Sequence, residues 1–158
     1  MKKVTYEELT DLQKKLLDEA EKVMENSYNP YSNFFVGAAI LTNDDQIITG
    51  TNFENCAYSS TICAERAAIA RANAMGCNMY KSVAIIEKGL NFDTQNVTGP
   101  CGSCRQVLYE ASQISEKNLE IIMSTTKKDN IVISSIEELL PLAFGPKDLG
   151  IDVKKYQK

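Results

Sequence analysis

Three thiols and one carboxylate carry the chemistry that this sequence suggests. They belong to Cys63, Glu65, Cys101 and Cys104. Three thiolates are soft ligands suited to a tetrahedral zinc ion, and three protein ligands leave the fourth position open for water. Because Glu65 comes two residues after the first ligand, we expect its carboxylate beside that water as a proton shuttle. The pattern predicts one catalytic Zn²⁺ per chain.

The composition narrows the possible mechanisms. The chain contains no histidine, so a transition-metal site must be built from Cys, Asp or Glu. A general base near neutral pH must then be a carboxylate, a lysine or a metal-bound hydroxide. Ser-His and Cys-His nucleophilic mechanisms are excluded for the same reason.

Charge and cysteine usage indicate the kind of partner and the compartment. A net charge of -4 and a pI near 5.0 argue against a nucleic-acid surface and favour a small-molecule substrate. The first residues lack the apolar core of a signal peptide, and no run of the sequence reaches membrane-spanning length, so we expect a cytoplasmic protein without membrane contact. Five cysteines then indicate metal ligands plus two spare thiols, Cys56 and Cys77, rather than disulfides.

Periodicity predicts strands alternating with helices in one domain, residues 1–158, with a core of about 6–144 and a tail at 145–158. The predicted helices are an amphipathic one from Tyr6 to Val23 that stops near Asn29-Pro30, two that start at Cys63 and Pro100-Cys101, and a short one after the capping box at Ser135. The predicted strands are 35–41 and 46–51 as a hairpin, 82–86, 119–125 and 131–133. The fold class is α/β, a three-layer α/β/α sandwich around a mixed sheet of about five strands.

Both cysteine motifs lie at predicted helix starts, where the partial positive charge of the helix dipole stabilises thiolates. Three thiolates around Zn²⁺ leave a net charge of minus one, which opposes ionisation of the bound water. A neighbouring cation would offset that excess. Arg66, adjacent to the proposed shuttle, is the expected donor to the sulfurs.

Four segments, in this order, closely resemble the small zinc-dependent cytidine deaminases. They are Pro30-Tyr31-Ser32-Asn33-Phe34, Asn52-Phe53-Glu54-Asn55, Cys63-Ala64-Glu65-Arg66 and Pro100-Cys101-Gly102-Ser103-Cys104-Arg105-Gln106. The resemblance extends over roughly residues 28–144, and the three-cysteine set with a non-ligating glutamate matches the general zinc deaminase signature.

The resemblance implies a reaction and a set of roles. Cytidine and 2′-deoxycytidine would be hydrolysed at C4 to uridine and 2′-deoxyuridine, with release of ammonia, as part of pyrimidine salvage. Glu65 would move protons to N3 and to the leaving amine. The implied substrate contacts are Asn52 and Glu54 at the ribose, with Phe53 between them, and Phe34 at the base. The family is homotetrameric, and Phe144 would contribute to a neighbouring subunit's site.

Other interpretations remain open from the residues alone. The substrate could be a polynucleotide, although the acidic composition argues against it. It could be an aminoacyl-nucleoside of the blasticidin type, although Asn52 and Glu54 favour an unmodified ribose. The zinc could be purely structural if Cys56 or Cys77 closed the site as a fourth ligand.

Overall fold

A mixed sheet of seven strands forms the centre of the computed structural model, which describes residues 1–158. The strands are β1 (Lys2–Val4), β2 (Phe34–Thr42), β3 (Ile47–Thr51), β4 (Tyr80–Gly89), β5 (Phe92–Asp93), β6 (Glu120–Thr125) and β7 (Ile131–Ser135). Their order is β1-β7-β6-β4-β2-β3, with β5 paired to β4. Only the β4–β6 pair is parallel; the other pairs are antiparallel.

Four helices cover the two faces of this sheet. They are α1 (Asp11–Met24), α2 (Ala64–Ala74), α3 (Gly102–Ser115) and α4 (Ile136–Leu139). Helix α1 buries its apolar side on one face, whereas α2, α3 and α4 pack on the other. Because helices cover both faces of the sheet, the predicted α/β/α arrangement is confirmed. None of the four helices combines the length and the apolar character that crossing a bilayer requires.

The central strand β4 explains why both layers are needed. Val83 and Ile85 point into the core on the α2 and α3 side, while Ala84 and Ile86 point into the core under α1. Alternate residues of a strand face opposite sides of a sheet. The strand predicted at 82–86 is thus confirmed, and its side chains are covered on both faces of the sheet. Burial of each such aliphatic side chain stabilises the fold by about 1.5–3 kcal/mol.

The predicted number of strands was too low. β1 is three residues long, largely exposed and partly charged, and pairs with β7 from Lys2↔Ile133 to Val4↔Ile131. β5 consists of two exposed residues and pairs with β4. Such short edge strands form through pairing with a neighbour rather than through their own apolar pattern, so periodicity does not reveal them.

Helix α1 is also shorter than predicted. It begins at Asp11, because Thr10 caps it: the Thr10 hydroxyl accepts from Gln13 N, and the Gln13 side chain accepts from Thr10 N. This capping box fixes the start of the helix five residues after Tyr6. Leu9 remains buried although it precedes the helix. The helix ends at Met24, before the Asn29-Pro30 stop that the sequence predicted.

Two glycines in the hairpin let the helices approach the sheet closely. A Cβ at Gly37 would lie 1.9 Å from the backbone oxygen of Ala20 in α1, and one at Gly50 would lie 2.3 Å from the backbone N of Ala68 in α2. The contact at Gly50 holds α2 against β3, which fixes where the first cysteine motif lies.

The tail, residues 145–158, packs on its own chain. It forms two short 3₁₀ helices, Pro146–Leu149 and Val153–Tyr156. The Val153 side chain is buried, and Gln157 Nε2 donates to the backbone oxygen of Ile114 at 2.8 Å. The tail therefore covers the end of α3, an arrangement that its composition did not indicate.

Candidate active site

Three cysteines from two helix ends converge on one point. Cys63 is the N-cap residue of α2, Cys101 is the N-cap residue of α3, and Cys104 lies in the first turn of α3. Their sulfur atoms all lie within 4.8 Å of one another, and Cys63 Sγ is 3.9 Å from Cys101 Sγ. Zn–S bonds of about 2.3 Å in a tetrahedron place two sulfurs about 3.8 Å apart. The donor set and its spacing therefore fit a zinc ion.

The ionisation of the thiols supports the same conclusion. Interaction with Cys104, together with the Arg66 guanidinium, lowers the pKa of Cys63 to about 5, against the opposing effect of partial burial. The same interaction and burial raise the pKa of Cys104 well above the ordinary thiol value. Without a cation, one thiolate thus suppresses ionisation of its neighbour. A divalent metal ion removes that conflict.

Arg66 lies where the sequence placed it. Its Nη2 donates to Cys63 Sγ at 3.6 Å and to the backbone oxygen of Thr61 at 2.9 Å. The guanidinium therefore places positive charge beside the sulfur cluster. Its hydrogen bond to Thr61, in the segment before α2, fixes its position.

The sulfur cluster opens into a cavity of about 420 Å³, within the usual size range of small-molecule sites. Cys63, Glu65 and Cys101 line one end, and Ser32 and Glu54 also belong to the lining. Glu65 is only 4% exposed, and burial raises the pKa of its carboxyl above the ordinary value. A carboxyl held in this way beside a metal position can carry a proton near neutral pH.

Asn52 and Glu54 both line the cavity. Asn52 Oδ1 accepts from Val36 N at 2.9 Å, and its Nδ2 donates to the backbone oxygen of Phe34 at 2.9 Å. These bonds leave one amide hydrogen free. Asn52 therefore both joins β2 to the segment after β3 and presents a donor at the cavity.

Glu54 is anchored by the loop that carries Ser32. Its Oε2 accepts from Tyr31 N at 2.9 Å and from Ser32 N at 3.2 Å. Desolvation acts to raise the pKa of Glu54, but the hydrogen bonds from Ser32 and Tyr31 outweigh it and lower the pKa below the ordinary value. Glu54 is thus a fixed, ionised acceptor.

The three phenylalanines expected at the site occupy different environments. Phe34 lines the cavity. Phe53 does not: it is 52% exposed and stacks on Tyr28 with ring centroids 5.2 Å apart. Because Asn52 and Glu54 point toward the cavity, the residue between them must point away on an extended chain. Phe144 is 61% exposed and lies outside this chain's cavity.

One cavity residue was missed by sequence reasoning. Glu87 lies at the end of β4, beyond the predicted strand 82–86, and is 1% exposed. Its Oε1 accepts from Thr98 N at 2.8 Å, and burial raises its pKa to about 7. The sequence did contain a signal for Glu87: it directly follows the apolar run 82–86. A strand that is buried on both faces can extend past its apolar run, as β4 does.

The spare cysteines do not close the metal site. Cys56 is exposed, Cys77 follows the end of α2, and neither belongs to the group of side chains that could hold a metal. The cluster consists of three thiols, and two of them, Cys63 and Cys101, line the cavity. A closed structural zinc site is therefore not supported.

Known proteins are similar to this chain in sequence and in fold. Residues 10–119 match the family model described as the cytidine and deoxycytidylate deaminase zinc-binding region. A cytidine deaminase of Sporosarcina psychrophila is 40% identical over 136 residues, 86% of this chain and 93% of the relative. One of Halalkalibacterium halodurans is 37% identical over 85% of this chain and 96% of the relative.

Solved structures agree. The crystal structure of cytidine deaminase from Burkholderia pseudomallei superposes with a TM-score of 0.75 at 36% identity, covering 86% of this chain and all of that one. The enzyme from Mycobacterium leprae gives a TM-score of 0.66 at 35% identity, covering 84% of this chain and 99% of that chain. The chain therefore belongs to the zinc-binding family of cytidine and deoxycytidylate deaminases. Its metal is zinc, and Cys63, Cys101 and Cys104 are positioned to bind it.

Proposed function

We propose that this protein hydrolyses cytidine and 2′-deoxycytidine to uridine and 2′-deoxyuridine with release of ammonia. One observation carries the proposal: a three-thiol zinc site opens into a cavity of about 420 Å³ that also contains the buried carboxyl of Glu65. A pyrimidine nucleoside is of a size that such a cavity holds.

Glu65 performs the proton transfers. A zinc ion in the three-thiol site supplies the Lewis acidity that makes water nucleophilic near neutral pH. Glu65 accepts one proton from the attacking water and delivers it to ring N3; it then accepts the second proton from the hydroxyl group on C4 and delivers it to the leaving amino group. The water oxygen becomes bonded to C4, the bond from C4 to the exocyclic nitrogen breaks, and ammonia leaves. The raised pKa of Glu65 suits a group that must hold and release a proton in one cycle.

The remaining lining residues orient the nucleoside. The ring of Phe34 packs on the base. The free amide hydrogen of Asn52 and the ionised carboxylate of Glu54 pair with the ribose 3′-hydroxyl as donor and acceptor. Both groups are already fixed by backbone contacts, so binding requires little reorganisation.

We also propose a homotetramer in which Phe144 completes a neighbour's site. The Phe144 side chain is exposed, and Gln106 Nε2 donates to the Phe144 backbone oxygen at 2.9 Å, which anchors this segment to α3. A group of exposed aromatic side chains also flanks the cavity: Tyr28, Tyr31, Phe53 and Tyr58. Large exposed aromatic surface is typical of subunit contacts. The five free cysteines favour a reducing compartment such as the cytoplasm.

A substrate panel tests the proposal. Ammonia release is measured with cytidine, 2′-deoxycytidine, cytosine, a blasticidin-type aminoacyl-nucleoside and single-stranded DNA containing cytosine. We expect turnover of the two nucleosides, with cytosine and DNA inert. Efficient deamination of the aminoacyl-nucleoside or of DNA, with cytidine inert, would assign the site to that other substrate.

A further inference from the structure

Glu87 has a carboxyl oxygen without a hydrogen-bond partner in the protein. Oε1 accepts from Thr98 N at 2.8 Å, whereas Oε2 is fully buried and makes no hydrogen bond. A buried carboxyl oxygen without a hydrogen bond costs free energy. Because the Glu87 side chain lines the cavity, the unsatisfied oxygen points to a ligand group that reaches this carboxyl.

The position of Glu87 in the cavity indicates whether it contacts the base or the ribose of a bound nucleoside. Glu87 lies two residues after Ile85 on β4, so both side chains face the same side of the sheet, and both line the cavity. The other lining residues next to it are Thr98 and Gly99, which lead into the ligand Cys101. The charge of Glu65 also acts on Glu87. Glu87 therefore lies beside the segment that leads into Cys101, and strand β2 separates it from Asn52, which follows β3.

The chemistry of the base then limits the partner. A cytosine ring carries one hydrogen-bond donor group, the exocyclic amino group on C4, while N3 and O2 are acceptors. A carboxylate oxygen accepts hydrogen bonds. After deamination the same position on C4 is a carbonyl oxygen, which is an acceptor and is repelled by a carboxylate.

We propose that Glu87 Oε2 is a specificity contact that accepts a hydrogen bond from the amino group on C4 of the substrate and disfavours the carbonyl of the product. This inference rests on the proposed function and adds to it. Glu87 makes the cavity prefer the aminated base and helps the deaminated product to leave. Thr98 holds Oε1, so the carboxyl presents Oε2 in one orientation.

Glu87→Gln tests the contact with little change of shape. The amide oxygen keeps the bond to Thr98 N, and the NH₂ group in place of Oε2 becomes a donor that opposes the substrate amine and matches the product carbonyl. Dissociation constants for cytidine and uridine are measured by calorimetry on zinc-loaded protein in a Glu65→Gln background, where turnover does not interfere. We expect cytidine to bind about tenfold more weakly and uridine to bind as tightly or more tightly than before, so the uridine-to-cytidine preference shifts at least tenfold.

A matched control and a second variant make the result decisive. Glu120→Gln removes a carboxylate at the opposite end of the β4–β6 pair, where Glu120 pairs with Ser82 in register and contacts Gln13, and it should leave the preference unchanged. Glu87→Ala removes the acceptor and the repulsion but supplies no donor, so it should weaken cytidine binding and strengthen uridine binding less than Glu87→Gln does. Zinc content and melting temperature check that each variant is folded.

The outcomes separate this inference from the proposed function. If wild-type protein deaminates cytidine but Glu87→Gln and Glu87→Ala change cytidine and uridine binding by the same factor, or by none, Glu87 only supports the segment before Cys101 and the inference is overturned. If wild-type protein does not turn over cytidine, the proposed function fails and the inference falls with it.

Discussion

Cys63 Sγ lies 3.9 Å from Cys101 Sγ although 38 positions separate the two residues in the chain. Each is the N-cap residue of its helix, so both helix N-termini point at the same metal position. The positive ends of two helix dipoles and the Arg66 guanidinium together offset the charge of three thiolates. This arrangement allows an anionic ligand set to hold a zinc ion that still activates water.

Removal of one ligand should abolish metal binding. Cys104→Ala is expected to lose most of its zinc, measured by elemental analysis of the purified protein, and to unfold at a lower temperature because metal binding and folding are coupled. Cys56→Ala, which removes an exposed thiol outside the cluster, should keep one zinc per chain. Full zinc content in Cys104→Ala would reassign the site.

Glu65→Gln should separate metal binding from catalysis. The amide preserves the shape of the buried side chain and removes the proton carrier, so we expect one zinc per chain, an unchanged fold and a kcat reduced by about 10²–10⁴ or more. The measurement is initial-rate kinetics beside zinc analysis. As a matched control, Glu116→Gln changes a carboxylate beyond the far end of α3 and should retain full activity. Substantial activity in Glu65→Gln would place the proton transfer elsewhere.

Glu54→Ala should reduce discrimination at the sugar. If Glu54 and Asn52 pair with the 3′-hydroxyl, each is left without a partner when 3′-deoxycytidine binds to the wild-type protein. Each unpaired group then reduces the free energy of binding by on the order of 1–3 kcal/mol. We therefore expect kcat/KM for 3′-deoxycytidine to be at least tenfold below that for cytidine in the wild type, and the two values to converge in Glu54→Ala with zinc retained. Equal rates with cytosine and cytidine in the wild type would contradict a ribose contact.

Tyr80 should make stability depend on alkaline pH. Burial raises the pKa of Tyr80 to about 12, above the ordinary tyrosine value of about 10, and its hydroxyl donates to the backbone oxygen of Cys77 at 2.7 Å. Because the folded pKa is raised, the unfolded chain ionises first. The contribution is fully present below pH 10 and is lost as the pH rises toward 12, a change of roughly 2–3 kcal/mol.

The measurement is urea unfolding of the wild type and Tyr80→Phe from pH 8 to 12. The variant should be less stable by about 1 kcal/mol at pH 8, through loss of the hydrogen bond, and the difference should vanish or reverse by pH 12. Tyr156→Phe removes a hydroxyl from an exposed ring and should track the wild type. A constant difference between wild type and Tyr80→Phe would show that Tyr80 is not the titrating group.

Much of this site could be predicted from the sequence because its residues occur in short segments. The ligands and Glu65 belong to two motifs at helix starts, and local spacing fixed their geometry relative to each helix. The strand 82–86 was evident from its apolar run. Thr10 shows a limit: its capping box with Gln13 was present in the sequence, yet the apolar stripe from Tyr6 suggested an earlier start.

Other features depended on tertiary contacts. Strand β1 exists because β7 offers it an edge to pair with, and its own residues carry no strand pattern. Phe53 was grouped with its neighbours in sequence, although alternation along an extended chain directs it to Tyr28 instead. Glu87 reaches the cavity through the length of β4 and the position of Thr98, neither of which a local pattern contains.

The most direct test of the central claim is cytidine turnover, followed by ultraviolet absorbance, before and after zinc is removed with a chelator. The account predicts that the native protein converts cytidine to uridine, that chelation abolishes the rate, and that one equivalent of zinc per chain restores it. A rate that survives complete removal of zinc, or zinc-loaded protein with no action on cytidine, would contradict it.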